Sequence, residues 1–108
     1  MTRDQLIRQT ERLIEEGERL QRSPSLDAMR TWLARSDQLL SEAWGSMDRY
    51  HLAWLMVGKA SSVPRGRALS PDEEARYVRE VGAQKTDVLR ASLGAARTGM
   101  PFLGETPV

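Results

Sequence analysis

Apolar positions recur along this chain at intervals of three and four residues, the spacing that lays a stripe along one side of an α-helix. Leu6, Ile7, Thr10, Leu13, Ile14, Gly17 and Leu20 form the first such stripe, and Thr2 with Gln5 is placed as a capping box at its start. A first helix is therefore predicted over about 3–21. Ser23-Pro24-Ser25 breaks the pattern, and the next stripe, Met29, Leu33, Leu40, Ala43 and Trp44, predicts a second helix over about 24–44. So short a connection makes the two an antiparallel hairpin. Gly45-Ser46 closes the second helix and leaves Ser46 to cap the third.

Tyr50–Val57 differs from everything around it, being apolar on both sides of the helical wheel. Met47, Tyr50, Trp54 and Val57 fall on one flank, and Leu52, Leu55 and Met56 on the other. A surface helix has a single apolar stripe, so two flanks imply either a central core element or an element that also lies in an interface. The expectation is a short third helix over about 47–58, enclosed by its longer neighbours.

Glycine, serine and proline then dominate residues 58–69, which read as a long flexible loop. Ser70-Pro71-Asp72-Glu73 is the clearest local signal in the chain, with a serine cap, proline at the first helical position and an acidic first turn. The fourth helix should run over about 71–97. Its apolar face of Ala75, Val78, Val81, Gly82, Val88, Leu89, Leu93 and Ala96 is interrupted by Lys85 and Ser92. Thr98-Gly99-Met100-Pro101 ends it, and a tail over 99–108 carries Phe102 and Leu103. The fold expected is an all-α, compact bundle of four helices in one domain, residues 1–108. Gly17 and Gly82 sit mid-stripe in the first and fourth helices, which predicts that these two cross backbone to backbone.

Sixteen Lys and Arg against fifteen Asp and Glu give a net charge of +1, which argues against a general polyanion binder. Cysteine is absent, so disulfides, thiolate catalysis and cysteine-ligated metals fall away. The start of the chain lacks the apolar core of a signal peptide, and no apolar run approaches the ~20 residues of a bilayer span. A cytoplasmic protein with no membrane contact is the default expectation.

The candidate chemistry is sparse. His51 is the only histidine, and it reads as a surface or interfacial residue. Glu11, Glu15 and Glu18 interleave with Arg8, Arg12 and Arg19 as on a solvated helix face, and the Glu-x-x-His pattern of di-metal bundles does not occur. No catalytic residue, metal site or cofactor is therefore assigned. Lys59, Arg65 and Arg67 precede the capped start of the fourth helix, and helix N-termini and arginines both suit phosphate. Gly58-Lys59-Ala60-Ser61 has the look of a phosphate loop, but the upstream glycine and the preceding strand are missing, and Asp72, Glu73 and Glu74 compete for the same arginines.

The run Leu13-Ile14-Glu15-Glu16-Gly17-Glu18-Arg19-Leu20, followed by Trp32-Leu33, Leu39-Leu40 and Trp44-Gly45, resembles a helical hairpin module of bacterial proteins. In some of those proteins the module precedes effector or nucleotide-binding domains linked to defence. The resemblance covers about the first 45 residues, and implies a bacterial origin and an interaction role.

Two functions follow as expectations. The first is a non-catalytic module for protein–protein contact or for self-association as a homodimer, with Trp32, Tyr50, Trp54 and Phe102 as the interface residues. The alternative is a small nucleic-acid or phospholigand binder using Lys59, Arg65 and Arg67.

Overall fold

The computed structural model describes residues 1–60, 63–64 and 66–107, and among them only helices and connecting segments occur. α1 (Arg3–Arg22), α2 (Leu26–Trp44), α3 (Arg49–Met56) and α4 (Pro71–Arg97) form an elongated bundle of 49 × 24 × 19 Å. Both capping boxes form as expected, Thr2 with Gln5 and Ser70 with Glu73. Pro24 lies outside α2, whose cap is Ser25. The third helix is shorter than expected, because Asp48 rather than Ser46 caps it and Gly58, at φ +100°, lies beyond its end.

α1 is the element on which α2 and α4 both lie. It runs antiparallel to α2, with Gln9 opposite Glu42 at one end and Leu20 opposite Thr31 at the other. It also runs antiparallel to α4, with which it shares the largest interface, Glu11 pairing with Arg97 and Glu18 with Arg90. These surface ion pairs set register more than stability. Burial comes from Leu6, Leu13 and Leu20 of α1 against Met29, Trp32 and Leu40 of α2 and Val78, Val81 and Leu89 of α4.

The two mid-stripe glycines do meet. A Cβ on Gly82 would lie 4.0 Å from the Gly17 carbonyl oxygen and 3.8 Å from Gln21 Cγ, which is ordinary contact. A Cβ on Gly17 would lie 2.1 Å from Thr86 Oγ1 and 2.9 Å from the Trp32 ring, which is not. Only Gly17 is required for the close approach. Gly82→Ala is accordingly expected to raise stability by roughly 0.5–1 kcal/mol through helix propensity, seen as a melting temperature a few degrees higher.

α3 departs from expectation most. It packs on α2 and α4 but not inside them, burying only His51 and Trp54 and half-burying Tyr50. Leu52, Leu55 and Met56 are 37%, 39% and 70% exposed, so the second apolar flank faces outward instead of being enclosed.

The tail is docked on the bundle through both of its apolar residues and its backbone. Phe102 is buried against Trp44 with ring centroids 6.3 Å apart, and Leu103 N–H donates to the Ala43 carbonyl at 2.8 Å. Thr106 N–H donates to the Met1 carbonyl at 2.8 Å. Arg3 ties this segment down with both terminal nitrogens of its guanidinium.

Candidate interaction surface

What holds α3 in place is polar. Met47 N–H donates to His51 Nδ1 at 2.8 Å, so that nitrogen carries a lone pair and Nε2 carries the proton, donated to Asp37 Oδ1 at 2.9 Å. Both ring nitrogens are engaged and the side chain is buried, which corrects its reading as a surface residue. His51 thus pins the α2–α3 turn, where Met47 and Arg49 adopt φ of 59° and 40°.

Lys85, one of the two polar interruptions on the face of α4, turns inward at the other end of α3. Its ammonium donates to the Trp54 carbonyl, one of the last carbonyls of α3 without an intrahelical partner, and lies 3.9 Å from the centre of the Trp54 ring. Burial pushes this amine below the ordinary lysine range, and the Asp37 carboxylate partly offsets the shift. Gly58 makes room for it, since a Cβ there would come within 2.7 Å of Lys85 Cε. Gln84 completes the attachment, its Oε1 accepting from Gly58 N–H and its Nε2 donating to the Lys59 carbonyl. The indole of Trp54 stacks on His51 at 6.4 Å, and its Nε1 has no hydrogen-bond partner among the described residues.

α3 is therefore inverted relative to an ordinary surface helix. Its inner side carries a histidine and a tryptophan set over an aspartate and a lysine. Its outer side, past the exposed Arg49 of the first turn, is aliphatic. At about 100° per residue the order around the axis is Tyr50, Val57, Ala53, Arg49, Met56, Leu52 and Leu55, an arc of roughly 220° that is apolar apart from Arg49 in the first turn. Beside it lies a shallow groove between α3 and α4, walled by Tyr50, Ala53 and Val57 on one side and by Asp87, Val88 and Ala91 on the other.

Of the residues assigned to an interface from sequence, only Tyr50 borders this surface. Trp32 is buried, its Nε1–H donating to the Leu13 carbonyl at 2.8 Å beneath Gly17. Trp54 lies under α3, and Phe102 is covered by the Arg3 guanidinium, 5.1 Å from its ring centre. These three are internal because each large ring has a specific partner on a distant element. Leu52, Leu55 and Met56 are the residues that replace them, and their signal was the second flank of the helical wheel.

The two described members of the basic cluster, Lys59 and Arg67, are not poised together for a ligand. Arg67 is committed to Glu73, with bonds of 3.0 and 2.7 Å to the two carboxylate oxygens and a third bond to the Ala68 carbonyl. Lys59 is exposed, and Arg65 lies outside the described residues. The acid of the capping box has thus won the competition for an arginine. The Ser70 backbone N–H, followed by Arg67, holds the Glu73 carboxyl well below its usual 4.5, at about 2. A depressed carboxylate stabilises the fold above its unfolded-state value and loses that contribution as pH falls through the folded-state value. The start of α4 is accordingly expected to be intact above pH about 4.5 and to fray progressively toward pH 2. Amide exchange at Glu73 and Glu74 would report this, and a cap insensitive to acid would contradict it.

Among the described residues no group of three or more histidine, aspartate and glutamate side chains could hold a metal ion, and no helix is long and apolar enough to cross a membrane. No family model, curated protein or solved structure matches the chain.

Proposed function

We propose that this chain is a non-catalytic helical module that acts by protein–protein contact, with the outward flank of α3 as the contact surface. A single observation carries the reading: every exposed side chain from Leu52 to Met56 is apolar, while the polar anchors of the same helix point inward. Isolated exposed leucines are common and need no explanation, but a contiguous arc bordered by an apolar groove is the signature of a surface that another chain covers. The hairpin resemblance supports a bacterial setting. The phospholigand alternative is weakened by the commitment of Arg67 to Glu73.

The test is a photoreactive amino acid at position 56 in living cells, with one at Arg8, exposed on α1, as control. Discrete adducts from position 56 and none from position 8 are expected. Absence of adducts from position 56, or equal adducts from both, would overturn the assignment.

A further inference from the structure

We infer that His51 is an acid-operated latch on the α2–α3 turn: uptake of a proton at its Nδ1 releases the Met47 backbone, while Asp37 keeps the imidazolium, and with it α3, in place. The latch concerns how α3 is held at its start and is independent of what covers its outer flank.

A neutral imidazole has one N–H and one lone pair, and here both are committed. Nδ1 accepts from Met47 N–H at 2.8 Å, and Nε2–H donates to Asp37 Oδ1 at 2.9 Å. An added proton can go only to Nδ1. Two N–H groups would then face each other across 2.8 Å, so the Met47 peptide has to turn away. The same proton strengthens the other bond, because an imidazolium and a carboxylate form a charge-assisted pair. Acid therefore acts on the two anchors of His51 in opposite directions, loosening the turn and tightening the hold on α2.

The turn is strained enough to move once its bond to the ring is lost. Met47 and Arg49 stand at φ of 59° and 40°, left-handed backbone that a residue other than glycine keeps only while its surroundings enforce it. Met47 is 62% exposed and gains little from packing. The other bonds of the turn, Asp48 N–H to the Gly45 carbonyl and Arg49 N–H to Asp48 Oδ1, lie within the turn itself and do not tie it to the bundle.

Charged groups reach the ring from each element around it. Asp37 on α2 and, at longer range, Asp48 in the turn attract an imidazolium. Lys85 on α4 repels it, since its ammonium lies 3.9 Å from the centre of the Trp54 ring on which His51 stacks. Arg49 repels it too, but is exposed and screened by water. Of these four side chains Asp37 is the one bonded to the ring, so attraction prevails and the protonated ring stays on α2.

NMR of the isotope-labelled full chain from about pH 8 to about pH 5, the interval across which imidazole changes charge, tests the latch. At the upper end Nδ1 should read as a bonded acceptor and Nε2 as an N–H. At the lower end both should read as N–H. The Met47 amide should then lose about tenfold or more of its protection against exchange, after correction for the intrinsic pH dependence, with the midpoint of the ring. The buried Leu40 and Leu89, in mid-α2 and mid-α4, should keep theirs. Asp37→Asn retains an acceptor for Nε2–H without the charge, and should move the release about one pH unit lower. His51→Asn places an acceptor that does not titrate near the position of Nδ1, and should leave Met47 protected throughout. If that variant fails to fold, the ring and Met47 signals of the parent still decide. A ring that remains neutral at about pH 5, a Met47 amide still protected after the ring has titrated, or loss of protection at Leu40 and Leu89 together with Met47 overturns the latch. So does acid release of Met47 in a folded His51→Asn variant.

Discussion

Replacing Gly17 with alanine is expected to cost about 2 kcal/mol and to lower the melting temperature by roughly 10 °C, although alanine is the better helix former. The new Cβ would stand 2.1 Å from Thr86 Oγ1, 2.9 Å from a Trp32 ring carbon and 3.3 Å from Thr86 Cβ. Neither neighbour yields easily. Thr86 is fully buried on α4, and the Trp32 indole is fixed by its bond to the Leu13 carbonyl one turn earlier on α1. Overpacking of this kind costs about 1–3 kcal/mol, with the upper part of the range appropriate for contacts on two helices at once, and helix propensity returns about 1 kcal/mol. Thr86→Ala in the Gly17→Ala background should recover part of the loss, because it removes one of the two obstacles. A double-mutant cycle with a coupling near zero would contradict the packing described, as would a Gly17→Ala variant that melts higher than the parent.

Arg3→Ala is expected to produce a loss of similar size by a different route, about 2–3 kcal/mol, and to free the tail. One guanidinium nitrogen donates to the Ala96 and Met100 carbonyls at 2.8 and 3.1 Å, closing the C-terminal end of α4. The other reaches both carboxylate oxygens of Glu105 at 2.9 Å, and the plane covers Phe102. The carbonyl bonds are charge-assisted and part-buried, worth about 1.5–3 kcal/mol together, while the Glu105 pair is partly solvated and adds at most about 1 kcal/mol. Amide exchange separates this from a global effect. The Leu103 and Thr106 N–H groups, bonded to Ala43 and Met1, should exchange much faster in the variant than amides in mid-α1. Arg3→Lys should fall nearer to alanine than to the parent, since an ammonium cannot reproduce the fork. Unchanged protection at Leu103 and Thr106 would show that the tail is held by Phe102 alone.

The parts of this fold that were legible in the sequence are those whose causes are local. Thr2 with Gln5 and Ser70 with Glu73 sit three residues apart and signal their caps directly, and the stripes of α1 and α4 need only the helical period. Gly17 was legible as an oddity, a glycine where the stripe wants bulk, and its reason became visible only with Trp32 and Thr86 in place. The orientation of α3 was not legible, because a wheel apolar on both flanks carries no information about which flank turns inward. That choice is made by Asp37 on α2 and Lys85 on α4, which offer His51 a carboxylate and the end of α3 an ammonium. Partners so far apart leave no mark on periodicity. Arg3 and Glu105, 102 positions apart, are the extreme case. The same blindness produced the misplacement of Trp32, Trp54 and Phe102, since large rings are equally consistent with an interface and a core until their neighbours are known.

The outward orientation of α3 is the claim on which the proposed role depends, and the methionine methyl groups can test it directly. Met56 lies on the crest of α3 and Met29 in the core, so a soluble nitroxide added to dilute protein should broaden the Met56 methyl resonance strongly and leave that of Met29 sharp. A Met56 methyl as sheltered as that of Met29 in dilute solution would mean that α3 is turned the other way, and the contact surface would not exist.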